Sequence, residues 1–346
     1  MRISGTILLN TLLLSCNTGA GIIKSDATFL PVKTISISKH TTLIAPKNYD
    51  QGSAQYKKME SADYQINLYA RKFVHGDIIY LELIPSAKNK FDEIPSFIVD
   101  KKQFLLTSLK WGYRGFFVIN PEENANSANI SIAYKLNGIK KTCSHDLFLE
   151  KKEFPVYKTA LNLGKYSRTD LQQDKIIQEK IQYEAKIKEK LFSALDPDHI
   201  KSSTAYPRDF HRITSPFYAK RIYDQYEMLN GRKISREPKI SVHRGLDFYA
   251  QTGAPIYAMI DGKVVVAENL YFEGNCVWID HGNKILSVYM HMSKLNTYTG
   301  QMVKAGHLIG FAGSTGMATG PHLHVSLYIS GISADPLSLL FLPVRE

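Results

Sequence analysis

Cysteine is scarce in this 346-residue chain: Cys16, Cys143 and Cys276 are the only three, and no two form a C-x-x-C pair. That excludes a thiolate zinc knuckle, a thioredoxin-like redox motif and a dense disulfide framework. Cys143 and Cys276 read as small buried hydrophobes. Zinc-finger, RRM and homeodomain patterns are also missing, so the excess of 43 Lys and Arg over 32 Asp and Glu does not make the chain a nucleic-acid binder. The formal charge of +11 instead favours some anionic neighbourhood. The Lys-rich stretch 180–190 is interleaved with Glu and reads as a solvated helix face. No G-x-S-x-G elbow is present, which weakens any Ser-His-Asp hydrolase reading. What remains is ordinary globular text, 44% hydrophobic and 22% charged, and long enough for two cores.

The N-terminus supplies a location signal. Arg2 precedes a mostly apolar run from Ile3 to Leu14, interrupted by Asn10 and too short to span a bilayer comfortably, as in a secretory signal peptide. The run ends in Leu13-Leu14-Ser15-Cys16, which is similar to a relaxed bacterial lipobox. The expectation is an exported protein, at the periplasmic face or in the cell envelope, attached to a membrane through lipid on Cys16.

Patterning divides the rest. Residues 17–60 mix Ser, Thr, Lys and Gly and read as a tether that could contribute a strand. Over 61–156 the text turns β-like. Ile130, Ile132, Tyr134 and Leu136 alternate with smaller or polar residues, and Asn137-Gly138 follows as a hairpin turn. Several short strands in this space predict an immunoglobulin-like β-sandwich, with no catalytic constellation and with His75 and His145 as packing residues. From Asp170 to Phe192 there is no Gly or Pro, and Ile177, Ile181, Ile187 and Leu191 recur at helical spacing. This predicts a helical connector within 157–200. Beyond 201, short β runs alternate with Gly-rich turns, predicting a compact antiparallel β domain over 201–346. The fold class is therefore mainly β.

The chemistry concentrates near the C-terminus. Six of the eleven histidines follow residue 242. His243 and Asp247 are four apart around Gly245, and His322 and His324 are two apart, so each pair shares a face if its segment is extended. His291 ends a third β run. Imidazoles plus one carboxylate suit Zn2+, and three protein ligands would leave a fourth position for water. Five candidates exceed that need, leaving two histidines for proton transfer or oxyanion stabilisation.

At this point the text is identifiable. Ser215-Pro216-Phe217, His243-x-x-x-Asp247, the run Gly274 to Asn283, Tyr289-x-His291-x-Ser293, Gly310-x-x-Gly313-Ser314-Thr315-Gly316 and Thr319-Gly320-Pro321-His322-Leu323-His324 together resemble the lysostaphin-like (LytM, M23) zinc metallopeptidases. The resemblance covers about 130 residues, to Asp335-Pro336. It implies a C-terminal peptidase domain with a groove-bound zinc held by His243, Asp247 and His324, and with His291 and His322 as the catalytic pair. It also implies an endopeptidase acting on peptidoglycan stem peptides or cross-links, for which a regulatory protein partner is conceivable. A non-catalytic binding or activator protein of the same fold is the alternative, disfavoured because such relatives lose ligands or catalytic histidines. Two features depart from quiet agreement. Tyr218 stands where the family has Gly, and His281 and His307 read as structural.

Overall fold

The computed structural model describes residues 54–86, 90–201, 204–209 and 212–345. The expected signal peptide, Cys16 and residues 17–53 of the tether lie outside them. Among the described residues no helix is long and apolar enough to cross a membrane.

The first half is built from two antiparallel sheets. Gln55–Glu60, Tyr64–Ala70, Ile78–Pro85, Gly112–Val118 and Leu106–Leu109 form one, in that spatial order, and Lys102–Phe104, Ser96–Val99, Ser127–Leu136 and Ile139–Phe148 form the other. Their inner faces share a core: Phe97 of the second sheet meets Phe117 of the first at 5.3 Å between rings, and Tyr134 meets Tyr64 at 5.4 Å. The alternation in Ser127–Leu136 explains why it lies there, since Ile130, Ile132, Tyr134 and Leu136 are all buried. Asn137 and Gly138 take φ of 51° and 79°, as a two-residue hairpin turn requires. Gln55–Glu60, at the end of the expected tether, is an edge strand of this assembly.

The segment expected to be a helical connector begins instead as a strand. Val156–Leu161 pairs in parallel with Lys220–Leu229, which forms a long hairpin with Arg232–Val242. The helix proper is Lys175–Ser193, started by the Asp174 carboxylate accepting from the N–H groups of Ile176 and Ile177. Its stripe of Ile187, Leu191 and Phe192 packs on a small core of Val266, Leu270, Cys276, Trp278 and Val288. Cys276 is fully buried, and both it and Cys143 are free thiols. Glu184, also buried in the helix, accepts the Tyr271 N–H with both carboxylate oxygens at 2.9 Å. The helix thereby pins the turn that joins Gly262–Leu270 to Gly274–Asp280.

The C-terminal sheet has ten strands. Its main path runs Ile213–Ser215, Leu246–Tyr249, His322–Ile329, Ile285–Leu295, Gly274–Asp280, Gly262–Leu270 and Met302–Val303. It is joined to the first half by charge as well as by apolar contact. Arg71 binds Asp77 and Asp335 at 2.6 and 2.7 Å, and Lys152 binds Asp77 at 2.8 Å. The segment 336–345 lies along the first sheet. There the Ser338 hydroxyl accepts the Ile78 N–H at 2.9 Å, and Arg345 grips Glu82 through two hydrogen bonds of 2.6 Å.

Candidate metal centre

Strand register assembles the centre. Leu246–Tyr249 runs antiparallel to His322–Ile329 with Asp247 opposite His324, and His324 in turn lies opposite Met290 of Ile285–Leu295. His243 sits just past the end of the 220–242 hairpin. The result is a triangle of donor atoms: His243 Nε2 to Asp247 Oδ1 3.0 Å, His243 Nε2 to His324 Nδ1 3.0 Å, and His324 Nδ1 to Asp247 Oδ1 2.8 Å. His243 and Asp247 are buried and His324 is half-buried. A tetrahedral zinc with bonds of about 2.0–2.1 Å needs ligand–ligand edges of about 3.3 Å, within half an ångström of each edge here.

The proton inventory points the same way. His243 Nδ1 lies 2.9 Å from the Pro216 carbonyl, which can only accept, so that nitrogen carries the proton and Nε2 offers a lone pair. Ser326 Oγ, 2.8 Å from His324 Nε2, can accept a hydrogen bond from an N–H there, which leaves Nδ1 with its lone pair open. Three lone-pair donors converging on one point suit a cation better than any mutual hydrogen bonding. Burial alone would raise the Asp247 carboxyl, but its contacts with His243 and His324 hold it well below the usual carboxylate range. The second oxygen, Oδ2, receives the Arg221 guanidinium at 2.7 Å, and Arg221 also donates to the Ser215 hydroxyl.

Gly245 is required by space rather than by backbone angle. A Cβ there would fall 2.6 Å from His324 Cε1 and 2.5 Å from the Val325 carbonyl oxygen, so only hydrogen lets His243 and Asp247 close on His324.

His291 and His322 stand beside the triangle with ring centroids 4.8 Å apart, and His322 Nε2 is 3.7 Å from Asp247 Oδ1. Their Nδ1 atoms lie 2.9 and 2.8 Å from the carbonyls of Thr315 and Gly320, so both rings carry the proton on Nδ1 and expose Nε2. His291 is reached by breaking a strand. Between Asn275–Met292 and Val277–Tyr289 the register gains a residue, and His291 takes φ of 62° in the left-handed region. Period-two alternation would otherwise send it into the core behind Tyr289. The strain, of order 1–3 kcal/mol for a non-glycine residue, is held by the His291 N–H bond to the Glu273 carbonyl, on the turn that the helix pins. Burial first, then the neighbouring His322 and His324, pushes the His291 pKa down to about 3.

All five residues singled out in the sequence therefore face one groove of 840 Å³. His281 is elsewhere and fully buried, between the Asp261 carbonyl and Ser287 Oγ. Arg221, Glu273 and Thr315 support the site without a sequence signal that marks this role; Arg221 lies in a hairpin lacking a clear apolar period. Tyr218, where the family has Gly, takes φ of 59°. It keeps the backbone shape glycine would give because its ring packs on Phe154 at 4.9 Å and its hydroxyl donates to Glu122 at 2.9 Å.

A His-Asp-His triangle flanked by two imidazoles with free Nε2 atoms is the make-up of a metallopeptidase site. Residues 241–336 match the profile of peptidase family M23. Peptidoglycan DD-endopeptidase ShyC of Vibrio cholerae is 38% identical over 130 residues, which is 38% of this chain and 28% of that protein. DD-carboxypeptidase/endopeptidase Mpg of Neisseria meningitidis is 35% identical over 140 residues, 40% of this chain and 29% of that one. The chain thus spans under a third of the length of these curated relatives. The crystal structure of a candidate M23 peptidase from Pseudomonas aeruginosa covers 79% of this chain and 96% of its own, at 19% identity and a TM-score of 0.52, a likeness of fold.

Proposed function

We propose that this chain is a zinc endopeptidase that hydrolyses peptide bonds in peptidoglycan stem peptides or their cross-links. The observation that carries the reading is the convergence of His243, Asp247, His324, His291 and His322 on one groove. The names of the relatives, peptidoglycan DD-endopeptidase among them, support the substrate class. A zinc ion held by the triangle would supply Lewis acidity toward the scissile carbonyl and toward water. Arg221 keeps Asp247 Oδ2 occupied, so that Oδ1 faces the two imidazoles. His291 Nε2, neutral at pH 7, accepts a proton from water in the groove and returns it to the leaving amine, while His322 Nε2 accepts a hydrogen bond from the same water and orients it.

In the same reading, residues 61–156 form an immunoglobulin-like accessory sandwich and 201–346 the peptidase domain. Cys16 carries lipid that holds the protein in the cell envelope. A non-catalytic binding role is disfavoured because none of the five groups is replaced. The test is release of fragments from purified peptidoglycan with and without a chelator, for the wild type and His291→Ala. The variant is expected to retain one metal per chain and lose about 10²–10⁴-fold in turnover. Chelator-insensitive cleavage would refute the metal mechanism, and loss of metal from the variant would refute the division of roles.

A further inference from the structure

The groove does not stop at the metal triangle. Three strands, Val156–Leu161, Lys220–Leu229 and Arg232–Val242, make a sheet of their own, separate from the ten-stranded one. Pairing aligns Leu161 with Tyr223 and Tyr223 with Lys239, and places Arg221 beside Ser241. Side chains alternate across a strand. Apart from Val242 at the end of the third strand, the groove-lining residues of this sheet are odd-numbered, among them Thr159 and Leu161, Tyr223 and Gln225, Lys239 and Ser241. His243 continues the same parity past the end of the third strand. The part of this face nearest the triangle is therefore an extension of the metal groove, which Leu163, Tyr166 and Gln172 also line.

Its charge is one-sided. No carboxylate of this sheet lines the groove, and its cations there are Arg221 and Lys239. Arg221 is committed to Asp247. Lys239 is exposed and has neither an ion pair nor a side-chain hydrogen bond among the described residues. Four residues along the strand separate it from His243, a span of about 13 Å at about 3.3 Å per residue. An extended peptide with its scissile bond at the triangle would carry a residue roughly four places away to this ammonium.

Resting on the peptidoglycan reading above, we propose that this face binds the acidic arm of the cross-linked peptide, with Lys239 Nζ pairing a carboxylate of the stem. The face thus selects for charge, while the triangle and its two imidazoles act on the bond.

The test uses the full chain and two synthetic cross-linked stem peptides, identical except that the acidic residue bears a free or an amidated carboxyl. Wild type is expected to favour the free acid about 5- to 10-fold in kcat/KM, between the worth of an exposed ion pair and of a charge-assisted hydrogen bond. Lys239→Gln is expected to lose that margin on the acid alone, mainly through KM, and Lys239→Arg to keep it. Lys220→Gln, which removes the same charge from the opposite face, is expected to change neither. Equal rates of wild type on both peptides, or equal losses on both in Lys239→Gln, would overturn the assignment while leaving the endopeptidase reading intact. Failure of wild type to cleave either peptide or whole peptidoglycan would overturn the endopeptidase reading itself.

Discussion

Gly245→Ala is the smallest change expected to dismantle the metal centre. The added methyl would lie 2.6 Å from His324 Cε1 and 2.5 Å from the Val325 carbonyl oxygen, against an ordinary contact of 3.4 Å or more. About 1 Å of movement is therefore needed. The Val325 carbonyl cannot supply it, because Val325 is paired with Leu246 on one side and Tyr289 on the other. The His324 ring must turn, or Leu246–Tyr249 must lift from its partner, and either motion opens donor edges of 2.8–3.0 Å. Overpacking of this kind costs about 1–3 kcal/mol of stability. At roughly 2.1 cal/mol/K per residue of unfolding entropy, that lowers Tm by about 1–4 °C. A 1 Å misplacement in a catalytic constellation costs about 10²-fold in rate. The variant should thus stay folded at 25 °C by circular dichroism while zinc per chain falls below one and kcat/KM drops at least that far. A variant with one zinc and a kcat/KM within threefold of wild type would refute the steric account of Gly245.

Three further outcomes follow from other contacts. Arg221→Met removes the donor to Asp247 Oδ2 and is expected to weaken zinc affinity about 10–100-fold, with Arg221→Lys intermediate; an unchanged midpoint in chelator competition would exclude the positioning role. Burial lowers the His281 pKa to about 4, against about 6.5 unfolded, so protonation favours the unfolded chain. The stability it contributes is whole above pH 6.5 and fades toward pH 4 by about 3 kcal/mol, an acid loss that urea titrations should show shrinking in His281→Gln. Asp335→Asn leaves Arg71 and Lys152 with Asp77 alone and is expected to cost about 3 kcal/mol, read as a lower urea midpoint; a shift under 0.5 kcal/mol would mean the cluster does not hold the two halves together.

The sequence was most legible where one physical rule acted alone. The alternation in Ser127–Leu136 and its Asn-Gly turn came through because one face of that strand is buried. The pairs His243–Asp247 and His322–His324 came through because even spacing suffices to align side chains. Legibility failed where rules competed. In Arg232–Val242 nine successive residues are exposed, and the hairpin register slips between Tyr223 and Gln225, so no apolar period survives. Val156–Leu161 is an exposed edge strand, and the residues before Leu161 carry no hydrophobic signal of burial. The helix begins at Lys175, after a separate turn at Thr169–Gln172, because the Asp174 cap restarts it. His291 reaches the groove only through a bulge, and nothing in Tyr289-x-His291 marks the extra residue.

The clasp between Arg345 and Glu82 also sets an order of events in time. The two residues are 263 positions apart, and Ser338 is 260 from the Ile78 amide it satisfies. At roughly 5–20 residues per second, a ribosome delivers the second partner about 13–50 s after the first. During that interval the Glu82 carboxylate has only the neutral donors Asn67, Tyr69 and Tyr80, and the Ile78 N–H waits for Ser338. The strand bearing His322 and His324 is made just before the clasp closes. A chain that stops before residue 322 therefore lacks both histidines and the clasp, and is an unfinished molecule rather than a loose blade.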